Sequence, residues 1–260
     1  MAPQKPLRSV ADIAALIDHS LLHPTLTDAE IQRGLEVARD SKVATACIKP
    51  YSIPQAINVL SGSGVGICVV IAFPHGNSTI KTKVTEATYA MLDLAGFVET
   101  GGARSSRGRA EIDMVVNVGK ALSGEWTYVE DEIAAVNAAV AERGGALKVI
   151  FETDFLERPH VARLAEICAR VGVAFVKTSS GFGFVRDKAH PALYTYRGAT
   201  VEHVQVMKQN VGPAVQVKAA GGIRTLDQLL QVYEAGATRI GATATEAILK
   251  EARARGYPEC

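Results

Sequence analysis

Short runs of β-branched and aliphatic residues alternate along the whole chain with longer stretches in which apolar residues recur every three or four positions. Eight runs read as strands: Leu16–Leu22, Thr45–Lys49, Ile67–Phe73, Ile112–Val118, Leu147–Glu152, Ala174–Ser179, Val215–Ala219 and Thr238–Ala242. Helical periodicity fills the intervals. The stretch Thr27–Ser41 opens with a capping box, Thr27 and Glu30. Further helical patterns cover Ser78–Phe97, Ser123–Arg143, Glu157–Val171, Thr200–Asn210, Thr225–Ala235 and Thr243–Arg253. This alternation predicts an α/β fold, a single closed (β/α)8 TIM barrel. The alternative is an open doubly wound sheet, but no GxGxxG follows the first strand, against its dinucleotide-binding version. No linker or low-complexity segment interrupts the pattern. The expectation is one domain over residues 1–260, with the barrel proper at about 16–250 and short tails.

Within that pattern, charges sit where a barrel has no comfortable place for them. One strand face packs into the interior and the other against helices. Yet Lys177 lies near the end of AFVKTS, Lys218 near the end of VQVKAA, and Asp113 in EIDMVVNV. Asp18 lies in LIDHSLLH, and Lys148 and Glu152 share one face of LKVIFE by the period of two. The bland reading is a set of buried ion pairs. Three strand lysines and three strand carboxylates favour a site instead, because buried ions are costly and cluster where function needs them. The expected cluster sets Lys148, Lys177 and Lys218 against Asp18, Asp113 and Glu152.

Neighbouring amines and a carboxylate suit Schiff-base chemistry. A free lysine of pKa ~10.4 is neutral in only about one molecule in 2500 at pH 7. Burial and a neighbouring cation lower that pKa, and a value near 7 leaves about half the amines neutral. An aspartate beside them can move protons on substrate hydroxyls.

Glycines follow the late strands. Ser180 and Gly181 come after Lys177; Gly221, Gly222 and Arg224 come after Lys218; Gly241 precedes Thr243 and a helix. Late loops and a helix N-terminus form the usual phosphate site of this fold, and glycine lets backbone N–H groups approach an anion. Two loops stand out. Residues 98–109 join a helix to a strand and belong at the bottom face, where the three arginines read as solvated. Residues 184–197 follow a strand and belong at the top face; Arg186, Lys188 and Arg197 read as solvated.

Composition narrows the classes. The chain has 28 basic and 27 acidic residues, a formal net charge of +1, which gives no general pull toward nucleic acid or anionic membrane. The longest apolar stretch, Val65–Phe73, is too short to span a bilayer, and the N-terminus lacks an apolar signal core. Cys47, Cys68, Cys168 and Cys260 form no CxxC pair, so a reduced, cytoplasmic setting is expected.

The motifs together resemble the deoxyribose-phosphate aldolase family of class I aldolases. IDHSLLHP, AFPHGN, AEIDMVVNVG, LKVIFET, FVKTSSGFG, VQVKAAGGIRT and ATRIGAT carry the resemblance, from about Ile17 to about Ile248. It implies reversible cleavage of 2-deoxy-D-ribose 5-phosphate to D-glyceraldehyde 3-phosphate and acetaldehyde. It implies Lys177 as the Schiff-base lysine, Lys218 as the tuning and proton-relay lysine, and Asp113 as the acid/base carboxylate; the residues alone do not choose between Lys177 and Lys218 as nucleophile. Asp18, Ser20, Lys148, Ser180, Gly181, Gly221, Gly222, Arg224, Gly241 and Thr243 are the expected substrate and phosphate contacts. No metal and no organic cofactor is expected. The expected partners are a small sugar phosphate and further copies of the chain, a dimer or higher, with no nucleic acid and no membrane.

This chain departs from the family pattern in three places. Thr243 and Ala244 stand where a serine pair is common, which loses one hydroxyl near the expected phosphate. Ser20 replaces a threonine. The loop 184–197 is longer than the pattern. The histidines His19, His23, His75, His160, His190 and His203 show no metal-like spacing. Tyr257, in the tail GYPEC, reads either as a mobile proton-moving group at the barrel mouth or as part of a frayed terminus.

Overall fold

A computed structural model describes residues 4–99, 110–187 and 189–260. Eight parallel strands close into a barrel in sequence order. They are β1 (Ile17–Ser20), β2 (Thr45–Ile48), β3 (Gly66–Ile71), β4 (Ala110–Val115), β5 (Ala146–Ile150), β6 (Phe175–Lys177), β7 (Gln216–Ala220) and β8 (Arg239–Ala242). The barrel shuts where Asp18 of β1 pairs with Gly241 of β8. All eight predicted strands are present. The fourth ends early: Val115 is its last residue, and Val118 instead begins a short helix capped by the Asn117 side chain, which accepts from Lys120 N at 3.1 Å.

The predicted helices form an outer ring: α2 (Asp28–Asp40), α4 (Ile80–Asp93), α7 (Trp126–Ala141), α8 (Arg158–Val171), α9 (Val201–Asn210), α10 (Leu226–Glu234) and α11 (Thr245–Ala254), with α1, α3, α5 and α6 as Val10–Ala14, Ile53–Leu60, Ala95–Glu99 and Val118–Leu122. Thr27 and Glu30 form the expected capping box on α2. The span Ser78–Phe97 breaks at Leu94 into α4 and α5. The helix between β2 and β3 was not predicted. Its apolar residues Ile53, Ala56 and Leu60 do follow helical spacing, but Pro54 reads as a breaker; at the second helical position it is tolerated. The part of the loop 98–109 beyond Glu99 lies outside the described residues.

The main apolar core lies between strands and helices, and inside the barrel a smaller apolar group of Leu22, Cys47, Cys68 and Val70 sits beside charged residues. Register places Lys177, Lys218 and Arg239 side by side on β6, β7 and β8, and Asp113 beside Lys148 on β4 and β5. The bottom face is closed by the termini. Val10 N and Ala11 N donate to Pro258 O and Glu259 O at 2.8 and 3.1 Å, and Tyr257 packs against the core. Tyr257 is therefore tied down at the face opposite the mouth, which sets aside both readings of the tail.

Among the described residues, one fully buried ion pair lies outside the barrel interior, between α4 and α7. Lys83 Nζ is 2.8 Å from Glu132 Oε1 and donates to Val115 O at 2.8 Å; Glu132 accepts from Asn117 N at 2.9 Å. The pair thus pins the end of β4, two residues past Asp113. Glu132→Ala should destabilise the protein by about 3–5 kcal/mol, because it strands a buried ammonium. Lys83→Met/Glu132→Leu should recover only part of this, since Val115 O and Asn117 N–H lose their partners. Urea unfolding of the three proteins measures both differences.

Candidate active site

Asp113 is the hub of the barrel interior. Its Oδ2 lies 2.6 Å from Lys177 Nζ and 2.8 Å from Lys218 Nζ, and its Oδ1 lies 2.9 Å from Lys148 Nζ. Below it, Lys148 Nζ also meets Glu111 Oε2 at 2.7 Å and Asp18 Oδ2 at 3.6 Å. Lys218 Nζ approaches Asp18 Oδ2 at 2.5 Å, as an ion pair rather than a directed hydrogen bond. Arg239 closes the base, donating to Asp18 Oδ1 at 2.7 Å and to Glu111 Oε2 at 2.9 Å.

Period two explains this gathering: Glu111 and Asp113 share the inner face of β4, as Lys148 does on β5. Ions this buried persist only when each has several partners. Four basic and three acidic groups make up the network among the described residues, so it carries one excess positive charge when all are ionised.

The electrostatics follow from these contacts. Burial opposes the charge on Asp113, but Lys148, Lys177 and Lys218 hold its carboxyl well below the usual range. Burial likewise opposes the charge on Asp18, and Arg239, Lys218 and Lys148 outweigh it. Burial works against the Lys218 ammonium, yet Asp113 and Asp18 hold its pKa above the ordinary lysine value. Lys218 is therefore a firm cation beside Lys177, with a carboxylate interposed between the two amines.

A cavity of about 330 Å³ opens at the C-terminal ends of the strands. Of the expected residues, Ser20, Lys177, Ser180, Gly181, Gly221, Gly222, Arg224, Gly241 and Thr243 line it. Asp18, Asp113, Lys148 and Lys218 do not; they lie fully buried beneath it. Asp18 and Lys148, expected among the substrate contacts, are thus part of the ionic base, because their strand positions lie a level below the mouth. Lys177 is the one lysine of the three that reaches the cavity. Among the described residues, the N–H groups of Gly181, Gly221 and Gly222 donate to no protein acceptor.

Two further expectations need correction. Glu152 does not join the cluster; it takes a left-handed backbone (φ 59°) and turns toward Ser180. Glu111 and Arg239 take its place. Glu111 was legible, two residues before Asp113 on the same face; Arg239, at a strand start, gave no signal. Ala244 packs against the core rather than lining the cavity, and Thr243 does line it, so the lost hydroxyl falls outside the wall.

Aromatic residues complete the wall. Phe184 and Tyr196 meet edge to face at 5.4 Å, at the ends of a small antiparallel ribbon of Val185–Arg186 against Tyr194–Thr195. Asp154 anchors its exit, accepting from Arg197 N at 2.6 Å and Gly198 N at 2.9 Å. The long loop thus builds part of the site. Arg186 lies over the Tyr194 ring at 5.6 Å, and Lys188 lies outside the described residues.

Two carboxylate–thiol groups, Cys47/Cys68/Asp113 and Asp18/Cys68/Glu111, have ligand-like spacing. Their carboxylates already face ammonium or guanidinium groups, and Cys68 Sγ lies 3.0 Å from Lys148 Nζ, so positive charge already stands beside these donors. His19 bonds Thr245 Oγ1 at 2.8 Å, and burial lowers its pKa to about 4. Among the described residues no helix is long and apolar enough to cross a membrane.

Residues 13–251 match the family model described as DeoC/LacD family aldolase. A deoxyribose-phosphate aldolase of Rhodopirellula baltica is 41% identical over 242 residues, covering 93% of this chain and 90% of that protein. One from Caldanaerobacter subterraneus subsp. tengcongensis is 40% identical, covering 97% and 98%. Among solved structures, the tetrameric deoxyribose phosphate aldolase of Aeropyrum pernix superposes with a TM-score of 0.79 at 25% identity, covering 96% of this chain and 94% of that one.

The depressed carboxyls set the acid response. A carboxyl whose pKa falls on folding contributes stability above its unfolded pKa, about 4, and loses it as pH drops toward the folded value. Stability should therefore decline progressively below about pH 4. Asp113→Asn should be less stable at neutral pH by about 3–5 kcal/mol, with a shallower acid slope. Urea midpoints between pH 3 and 7 measure both.

Proposed function

The chain belongs to the DeoC/LacD family of aldolases, and on that premise we propose that it cleaves 2-deoxy-D-ribose 5-phosphate reversibly to D-glyceraldehyde 3-phosphate and acetaldehyde through a Schiff base on Lys177. One observation carries the choice of nucleophile. Lys177 alone among the three lysines lines the cavity, and it faces one carboxylate where Lys218 faces two and Lys148 three. With Lys177 as the neutral amine, the network holds three cations against three anions.

Lys177 Nζ attacks the aldehyde carbon of the open sugar, and water leaves as the imine forms. The protonated imine accepts electrons as the C2–C3 bond breaks. Asp113, shared between Lys177 and Lys218, takes the proton of the C3 hydroxyl through water. Lys218, held as a cation, supplies a proton to the resulting enamine, and hydrolysis releases acetaldehyde. The unpaired N–H groups of Gly181, Gly221 and Gly222, with the N-terminus of α11 behind Thr243, suit the phosphate. This role would place the enzyme in deoxyribose phosphate breakdown in the cytoplasm. The tetrameric relative supports a homo-oligomer.

Mixing the protein with deoxyribose 5-phosphate and borohydride should leave a stable adduct on the peptide carrying Lys177. An adduct on Lys218 would reverse the two roles, and no adduct despite substrate binding would remove the Schiff-base reading. Lys218→Leu and Asp113→Asn should lower kcat by about 10²–10⁴-fold.

A further inference from the structure

Glu152 is the buried carboxylate that the mechanism above leaves unused, and its surroundings are built. Phe151 N donates to Lys177 O at 2.9 Å and Thr153 N to Thr178 O at 3.0 Å. Two steps along one strand thus oppose a single step along the other. Glu152 is the extra residue of a bulge beside the cavity, and bulges re-aim a side chain. Its left-handed backbone costs about 1–3 kcal/mol for a residue other than glycine, and such strain persists only where the surroundings enforce it.

The bulge turns the carboxylate onto the loop after β6. Ser180 N donates to Glu152 Oε1 at 3.1 Å, and Ser180 Oγ donates to Oε2. Phe182 N donates to Ser180 Oγ at 3.0 Å. Gly183 completes the fit: a Cβ there would lie 2.6 Å from Glu152 Oε1. Glu152 has no ion-pair partner among the described residues, although burial opposes its charge.

Count the protons on Ser180. Its hydroxyl hydrogen is committed to Glu152, and one lone pair takes Phe182 N–H. Its remaining face is an acceptor, which an anion does not want. The donor between these anchored residues is the Gly181 N–H, which has no protein acceptor among the described residues and belongs to the cavity wall.

We propose that Glu152 is a positioning residue for the phosphate end of the substrate: it hangs the 180–182 loop on one carboxylate, so that the Gly181 N–H, rather than the Ser180 hydroxyl, meets the phosphate. The inference rests on the function proposed above. It makes Ser180 a strut for the loop instead of a phosphate ligand.

The test is a double-mutant cycle with Glu152→Gln and Ser180→Ala, read by KM and kcat on deoxyribose 5-phosphate and on deoxyribose. Each single substitution should raise KM for the phosphorylated sugar by about tenfold or more, the loss expected of a charged hydrogen-bond anchor. kcat, and KM for deoxyribose, should change much less, which a general loosening of the barrel would not produce. The double variant should be little worse than either single one, because both act through one contact. Equal losses on the two sugars, or effects that simply add, would overturn the proposal. If Glu152→Gln does not fold, Ser180→Ala decides alone: an unchanged KM for the phosphorylated sugar overturns it. Borohydride trapping with acetaldehyde, which has no phosphate, separates the two readings. A wild-type protein that fails to trap at Lys177 sinks the proposed reaction and this inference with it; trapping without a KM shift sinks the inference alone.

Discussion

A single carboxylate, Asp113, holds three ammonium groups within 2.6–2.9 Å in the middle of a barrel, where all four side chains are buried. At that depth an unpaired ion would cost several kcal/mol, so each charge requires the next. Lys148 needs Glu111, Glu111 needs Arg239, and Arg239 needs Asp18, which returns to Lys218. Strand register has to deliver these side chains to one level at a time, and a slip of one residue on any strand would turn its charge out against the helices. The fold and the site are therefore one constraint. Most aliphatic strand residues pack outward, and the ions share the inward positions with a smaller apolar group that includes Cys47, Cys68 and Val70.

How far the sequence reveals this depends on how local each signal is. A charge inside a period-two apolar run is anomalous on its own, which is why Lys177, Lys218, Asp113, Lys148 and Asp18 stand out. Arg239 does not, because an arginine at the start of a strand looks like any solvated flank; only closure of the barrel puts it opposite Asp18. Glu152 was assigned by period two to the face of Lys148, and one bulged residue defeats that arithmetic. The eight strands and seven of the helices were legible because each is a periodic local pattern. The helix Ile53–Leu60 was hidden by Pro54. The choice between two strand lysines was not legible at all, since it turns on which one the cavity reaches.

The wall of the cavity obeys a different rule from its floor. Beneath it, each charged side chain faces at least one of opposite sign. Around it, backbone N–H groups without acceptors, hydroxyls and aromatic edges face a space of about 330 Å³. Such a wall adapts to a ligand with an anionic end and a short polar chain. The loop 184–197 contributes Phe184 and Tyr196 to it, and Asp154 fixes that loop's return, so a segment that reads as surplus length is part of the enclosure.

The network is also graded along the barrel axis. Lys148, deepest, meets three carboxylates; Lys218 meets two; Lys177, at the mouth, meets one. Counter-ions thus run out toward the cavity, where a carbonyl carbon would arrive. A lysine surrounded by carboxylates is a structural cation. A lysine with one shared carboxylate can exchange that contact for a bond to carbon while the charges below it stay in place. If Lys177 enters the bond as a neutral amine, the floor is balanced at three against three, and when the imine is protonated the excess charge returns at the atom where electrons must be drawn from the breaking C2–C3 bond. The ladder of ion pairs beneath Lys177 keeps Asp113 oriented, so on the proposed mechanism the bond to carbon forms at the one amine that the fold leaves under-compensated, while Asp113 and Lys218 move protons beside it.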